Sequence, residues 1–188
     1  INETFHEFLI GHLFGLITKD WILSEKLRKP EERHIIIQWL DEIEEFRRSA
    51  SQYSKEHEAY GVEMTGNVRA LLALAYDFYS LSHCQANILP KLLNRLKNKE
   101  QFQGAKYEVA VGGLAVRSGF EIKWVNTKET HCEFIGIHKI TGQKAAFEAK
   151  RHHRPGVLGR EGTFSIDNAK IKIIDHIKEA REQAPKDI

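Results

Sequence analysis

The spacing of apolar residues in the first hundred positions predicts helices. One stripe recurs at i, i+3, i+4 and i+7, the period of an α-helix, and consists of Ile36, Trp39, Leu40, Ile43 and Phe46. Similar stripes run from Val68 to Tyr79 and from Leu89 to Leu96. The segment 5–17 is apolar on most faces, which predicts a buried helix. The sequence therefore predicts an all-α region that ends near residue 98.

The pattern changes after residue 100. A helix over 101–118, ended by Gly119, precedes segments with the short alternating pattern of strands, and these are 121–125, 131–138 and 144–152. A final helix, capped by Ser165 or Asp167, is expected to turn four isoleucines inward: Ile171, Ile173, Ile174 and Ile177. A further strand is expected after that helix, and the sequence leaves open whether the domain continues beyond Ile188. The prediction is an α/β fold with a helical module over 1–98 and a second domain over 99–188.

Composition excludes some classes of protein. With 41% hydrophobic and 29% charged residues, the 188-residue chain is typical of a globular protein, and its net charge of +2 does not by itself indicate a polyanionic partner. Cys84 and Cys132 have no paired spacing, which favours a reducing cytoplasm over a disulfide scaffold. The most apolar run, 8–17, is only about ten residues long, so no membrane association is expected.

The third predicted strand carries the first candidate for chemistry. Side chains alternate across a strand, so Glu148 and Lys150 are expected on one face. The carboxylate can hold a divalent cation, and the lysine can hold or deprotonate an attacking water molecule.

The preceding strand adds a second carboxylate, Glu133. A two-residue loop at Thr141–Gly142 places Glu133 opposite Lys150, whereas a register shifted by two places it opposite Glu148. Either register puts all three side chains on one face, and only a one-residue bulge would separate them. Two carboxylates that converge on an apolar hairpin are unfavourable unless a cation neutralises them, so this pattern indicates a metal ion.

An acidic residue followed by Glu-x-Lys, within a helix, three strands and a helix, resembles the PD-(D/E)XK nuclease superfamily. The resemblance covers about half of the chain, from residue 101 to residue 188, and it implies a restriction-endonuclease-like core that hydrolyses phosphodiester bonds with Mg²⁺ or Mn²⁺. Glu148 and Lys150 match the Glu-x-Lys element. Glu108 matches an acidic residue that many members carry on the preceding helix as an auxiliary metal or water ligand. Glu133 stands where the family usually has Asp, and no Pro precedes it. The stretch 148–158 also resembles a bacterial branch of the superfamily whose N-terminal half is helical.

Basic residues follow the Glu-x-Lys element. Between positions 144 and 160, five Lys and Arg residues and two His residues accompany one acid. Such a stretch is suited to a phosphodiester backbone. The residues predicted to contact nucleic acid, with DNA favoured over RNA, are Arg151, His153, Arg154 and Arg160.

Two other interpretations of the sequence stay open. The same fold could bind nucleic acid with catalysis weakened by Glu at position 133, or it could serve as a scaffold whose helical half recruits a protein partner or a second copy. Individual residues also have simpler explanations: Glu108 as a solvated helix residue paired with Lys106 or Lys128, and the three arginines after residue 150 as solvated loop charges.

Overall fold

The chain was analysed as a computed structural model that describes residues 3–57, 64–83, 90–125, 132–149, 162 and 173–183. It divides into two units, Ile1–Tyr76 and Asp77–Ile188. The units are defined by contacts between residues. The predicted boundary after residue 98 instead separates a helical module from a domain with a different function, and it stays a prediction. The fold is mixed α/β, with a helical N-terminal part and a small antiparallel sheet.

The first unit consists of helices, as the sequence predicts. They are α1 (Phe5–Ile17), α2 (Lys19–Lys26), a 3₁₀ turn (Pro30–Glu32), α3 (Ile35–His57) and the first part of α4 (Gly66–Ser82). Thr4 starts α1 with a capping box, in which its side chain accepts the Glu7 N–H and the Glu7 carboxylate accepts the Thr4 N–H. The buried stripes of this unit include Leu13, Ile17, Ile36, Trp39 and Leu71.

One prediction for α1 is wrong. The helix is not buried on most faces, because Leu9, Leu13 and Ile17 suffice to fill its inner side. Phe5 and Phe8 are 54% and 40% exposed, and their rings stack on each other with centroids 6.2 Å apart. Helix α1 therefore has more apolar residues than its buried face can hold.

The second unit contains the rest of α4 and both kinds of secondary structure. Its remaining elements are α5 (Pro90–Lys97), α6 (Lys99–Arg117), β1 (Phe120–Trp124), β2 (Phe134–His138), β3 (Lys144–Phe147) and α7 (Ile173–Gln183). Asn98 caps α6 by accepting the N–H groups of the first turn, and Gly119, at φ +91°, ends it. The strands form one antiparallel sheet in the order β1-β2-β3.

Aromatic side chains form the core beneath this sheet. Phe134 is fully buried and stacks on Phe147, with ring centroids 4.8 Å apart, while Trp124 meets Phe134 edge to face. Gly136 makes room for this cluster, because a Cβ atom there would lie 2.8 Å from the Phe147 ring. Gly112 of α6 faces Leu81 of α4 and Trp124 of β1, since a Cβ atom there would lie 3.1 Å from Leu81 Cδ2 and 3.5 Å from the Trp124 ring. Helix α6 packs against β1.

An ion pair between the buried Asp77 and the more exposed Arg117 joins the C-terminal part of α4 to α6. Arg117 Nη1 donates to Asp77 Oδ1 at 2.8 Å and to Ser80 Oγ at 3.1 Å. Burial raises the pKa of Asp77, an effect that the Arg117 cation only partly offsets, and burial lowers the pKa of Lys106 nearby. Gly113 faces this pair, since a Cβ atom there would lie 2.7 Å from Asp77 Oδ1.

The predicted two-residue hairpin loop is wrong. The β2–β3 loop spans residues 139–143, and the strands pair so that Phe134 lies opposite Phe147, which is the register shifted by two. Gly142, at φ +70°, donates its N–H to the His138 carbonyl at 2.8 Å. A glycine in the left-handed region and the side-chain contact between His138 and Thr141, 3.1 Å, stabilise this longer loop.

The final helix also differs from its prediction. It begins at Ile173, and its predicted caps, Ser165 and Asp167, lie outside the described residues, as does Ile171. Ile174 and Ile177 are 69% and 54% exposed rather than turned inward. Helical periodicity places apolar residues on one face but does not supply the surface that covers them. Among the helices that the structure describes, none is both long and apolar enough to cross a bilayer.

Candidate functional site

Two glutamates meet where β2 and β3 pair last. Glu133 directly precedes Phe134 and Glu148 directly follows Phe147, and these two phenylalanines are partners in the sheet. The register shifted by two therefore brings the two carboxyl groups together, and their side chains share a hydrogen bond. The prediction that these two acids converge is confirmed.

Glu133 is held in place by the backbone around it. Its N–H donates to the Phe147 carbonyl at 3.0 Å, and its own carbonyl accepts the Val125 N–H at 3.0 Å. Its Oε2 accepts the Ala149 N–H at 2.8 Å, so the carboxyl group continues the hairpin where the ladder of backbone hydrogen bonds ends. The side chain thus has one fixed orientation beside Glu148.

The environment favours the protonated form of Glu133. Burial is the largest cause, followed by the hydrogen bond and the negative charge of Glu148, and together they raise the pKa of Glu133 to about 8. The Ala149 N–H acts in the opposite direction but more weakly. Two carboxyl groups in contact can share one proton, or they can both ionise around a cation.

The pKa of Cys132 is affected by the same two acids. It is 5% exposed, so it behaves as the small apolar side chain that the sequence predicts, whereas Cys84 lies outside the described residues. Burial raises the pKa of the Cys132 thiol, and the charges of Glu148 and Glu133 raise it further. The thiol therefore stays protonated beside the two acids.

Glu133 also lines a cavity that reaches the preceding helix. The cavity has a volume of about 120 Å³, which is room for several water molecules. Its walls come from α5, α6 and the adjoining ends of β1 and β2, and they consist of Lys91, Leu92, Arg95, Glu108, Trp124, Val125 and Glu133. The fold thus brings Glu108 and Glu133, which are 25 positions apart in the sequence, to one cavity.

Glu108 is not a solvated helix residue. Its side chain is only 12% exposed, and both of its oxygens accept from Arg95, at 2.7 Å to Nη1 and 2.6 Å to Nη2. This forked pair neutralises the carboxylate and fixes its orientation. The partner among the described residues is Arg95 of α5 rather than Lys106, because α5 packs along α6, whereas Lys128 lies outside the described residues.

The two converging acids fit a magnesium ion in part. Mg²⁺ is commonly held by one or two carboxylates and completes its shell with water and substrate phosphate. Glu133 and Glu148 supply two such groups. Within the described ranges, however, no cluster of three or more His, Cys, Asp or Glu side chains could hold a metal ion, since Glu108 is turned to Arg95.

The remaining predicted site residues lie outside the described residues. They are Lys150 and the four predicted nucleic-acid contacts, Arg151, His153, Arg154 and Arg160. Their roles stay predictions. Ala149, the last described residue before Lys150, is tied to Glu133 by the hydrogen bond noted above.

Sequence reasoning missed the contribution of α5 to this cavity. Lys91 and Arg95 are four positions apart, and Leu92 and Leu96 are buried on the adjacent face of the same helix. This spacing places both cations on one face, so the signal was present in the sequence. What the sequence did not contain was the packing of that face toward Glu108.

Comparisons of this chain with protein-family models, with curated proteins and with solved structures gave no match. The resemblance to the PD-(D/E)XK superfamily therefore rests on residues of the sequence, and the restriction-endonuclease-like core stays a prediction.

Proposed function

We propose that this protein is a nuclease that hydrolyses nucleic-acid phosphodiester bonds with the help of Mg²⁺ or Mn²⁺ held at Glu133 and Glu148. The observation that carries the proposal is the contact between these two carboxyl groups, one of which, Glu133, lines a cavity with room for several water molecules. Two ionised carboxylates in contact repel each other unless a cation lies between them. A divalent ion would therefore replace the proton that the two groups share.

The proposal includes a restriction-endonuclease-like core, and the order of the described elements supports it. The chain has the element order of helix, three-stranded antiparallel meander and later helix, here α6, β1, β2, β3 and α7. The acids flank the paired strands, Glu133 directly before β2 and Glu148 directly after β3, next to the two strands on which the resemblance expects them. The further strand of such a core remains an expectation.

The residues have distinct roles in the proposed reaction. Glu133 and Glu148 bind the cation, and the Ala149 N–H keeps Glu133 oriented. A bound divalent cation acidifies water and offsets the charge that builds on the phosphate. Lys150 orients or deprotonates the attacking water. The water oxygen forms a new bond to phosphorus, the bond to the leaving ester oxygen breaks, and that oxygen takes up a proton.

Divalent-ion binding is the first test of the proposal. Melting temperature is measured with and without Mg²⁺ or Mn²⁺ for the wild type, Glu148→Gln and Glu121→Gln, the last being a matched control at an exposed carboxylate of β1. We expect a rise for the wild type and for Glu121→Gln, and no rise for Glu148→Gln. An equal rise in all three proteins would contradict a site at Glu148.

Cleavage is the second test. Plasmid, single-stranded DNA and RNA are incubated with Mg²⁺ or Mn²⁺ and the wild type, Lys150→Ala or Lys144→Ala, in which an exposed lysine of β3 is the control. We expect Lys150→Ala to lose about two to four orders of magnitude in rate, as is usual for a group that handles the attacking water. Cleavage that is unchanged by Lys150→Ala would overturn the mechanism.

A second candidate is a nucleic-acid-binding module of the same fold with weak or no catalysis. The Arg95–Glu108 pair favours it, because that pair withholds a third carboxylate from the two acids. Binding of DNA without cleavage under any of the tested metal conditions would select this candidate.

A further inference from the structure

A second, larger groove adjoins the cavity of Glu133. It measures about 760 Å³ and lies between α5 and the start of α6, lined by Lys91, Asn94, Arg95, Asn98 and Gln101. Lys91 and Arg95 line both the groove and the cavity. The groove therefore continues into the space that Glu133 faces.

The lining of this groove is suited to phosphate oxygens. Among the described residues, its side chains are cations and carboxamides, which donate hydrogen bonds, and none of these lining residues is an acid. The helix α5 carries three cations and no acid in its sequence, Pro90–Lys97. Leu92 and Leu96 anchor the adjacent face of the helix in the core, at 3% and 0% exposure. The polar side is consequently held rigidly toward the groove.

Lys91 is the cation of the groove that is available to a ligand. Arg95 already binds both oxygens of Glu108. Lys91 is exposed and forms no ion pair with any residue in the described ranges. Asn98 uses its carboxamide oxygen to cap α6, which leaves its amide N–H groups to donate outward.

We propose that this groove binds the sugar-phosphate backbone of a nucleic acid strand and leads it to Glu133 and Glu148, with Lys91 as the principal phosphate contact. The inference rests on the proposed function for its direction, since the groove leads to the two acids. Its binding step, however, is separable from metal binding and from cleavage.

The test measures binding without metal. Fluorescence anisotropy of a labelled oligodeoxynucleotide, as single strand and as duplex, and of the RNA of the same sequence, is followed in EDTA over a series of salt concentrations. The proteins are the wild type, Lys91→Gln, Lys91→Glu and Lys97→Gln. Lys97 belongs to the same helix but does not line the groove, so its variant is the matched control.

We expect Lys91→Gln to raise the Kd by about threefold to tenfold and to reduce the slope of log Kd against log salt by about one. Lys91→Glu should weaken binding further, because it adds repulsion. Lys97→Gln should leave the Kd and the slope within about twofold of the wild-type values, because in this proposal Lys97 contacts no phosphate. The probe that gives the largest Lys91 effect identifies the nucleic acid that the groove takes.

Two outcomes would overturn the proposal that the groove binds nucleic acid. In the first, the wild type binds none of the probes. In the second, Lys91→Gln and Lys97→Gln change the affinity for the probe equally. Failure of the proposed nuclease function looks different. It would appear as Lys91-dependent binding with no divalent-ion effect and no cleavage. Glu121→Gln, at an exposed carboxylate that lines neither the groove nor the cavity of Glu133, is the second control and should keep the Kd in EDTA.

Discussion

Two carboxyl groups of the same unit, those of Asp77 and Glu133, have neighbours of opposite charge. Asp77 is paired with Arg117 at 2.8 Å, so the cation that its charge requires is a residue of the protein. Glu133 instead faces another acid, Glu148, and the donor that it has among the described residues is the Ala149 N–H. The first arrangement contains its own cation and joins two helices. The second is complete only with a proton or a cation, and this is the kind of site that marks function.

Glu108 lies between these extremes. It is paired like Asp77, but its partner Arg95 lies in the wall of the same cavity as Glu133. Both pairs join neighbouring helices and are similarly exposed, but only the Arg95–Glu108 pair lines the cavity of Glu133, where a ligand that enters can reach it. Asp77, Glu108 and Glu133 therefore differ in the position of the nearest cation, within the protein core, in the cavity wall, or supplied from outside.

The largest expected effect comes from removing the partner of Asp77. Arg117→Met keeps much of the apolar stem but leaves a buried carboxylate without its cation. We expect the free energy of unfolding to fall by about 2–3 kcal/mol, a value reduced because the Arg117 side chain is 31% exposed. Urea denaturation measures this change.

Arg48→Met is the control for that experiment. Arg48 pairs with Glu45, and both side chains are mostly exposed, 74% and 64%. The expected change is within about 0.5 kcal/mol. If the two variants lose the same stability, the contrast between a structural pair and a surface pair is not supported.

The second prediction concerns pH. The pKa of Glu133 is raised from 4.5 to about 8, so the folded protein holds a proton that the unfolded chain releases. Stability from this group is therefore full below pH 4.5 and is lost as pH rises through 8, by on the order of 2 kcal/mol after allowance for solvent screening. Urea denaturation of the wild type and of Glu133→Gln across this range measures it.

The variant should have a flatter profile and should exceed the wild type in stability above pH 8. Saturating Mg²⁺ or Mn²⁺ should remove most of the difference, since the cation replaces the proton. Parallel profiles for the two proteins would show that the two acids do not repel each other in the folded state.

The smallest effects come from two glycines of α6. Gly→Ala in a helix is usually stabilising by about 1 kcal/mol. At Gly113 the sign should reverse, with a loss of about 1–2 kcal/mol, because the added Cβ would lie 2.7 Å from Asp77 Oδ1 and 3.0 Å from its Cα. At Gly104 the nearest atom is Arg95 Nη2 at 3.5 Å, which is ordinary contact.

Gly104→Ala should therefore raise the free energy of unfolding by about 0.5–1 kcal/mol. The two variants carry the same chemical change on the same helix, so melting curves or urea denaturation compare them directly. Stabilisation by both would mean that α4 and α6 are not in close contact at Asp77.

The sequence predicted those parts of the fold that depend on local spacing. The period of Ile36, Trp39 and Ile43 predicted α3, and the alternation before and after Gly142 predicted β2 and β3. The hairpin loop was predicted too short, because a loop of residues 139–143 is stabilised by His138 and Thr141 side-chain contacts that no periodicity encodes. The exposed isoleucines of α7 and phenylalanines of α1 were assigned to the interior because apolar content does not reveal what covers a face.

For the candidate site, the sequence by itself determined that Glu133 and Glu148 stand on adjacent strands, since alternation and a short connection permit few registers. Only the tertiary structure decided which register holds: the stacking of Phe134 on Phe147 sets the two acids in contact. Likewise, the sequence placed Glu108 on a helix. The packing of α5 decided that Arg95 neutralises it and that Lys91 lies beside it, because contacts between residues distant in the chain depend on how helices pack rather than on their own periods.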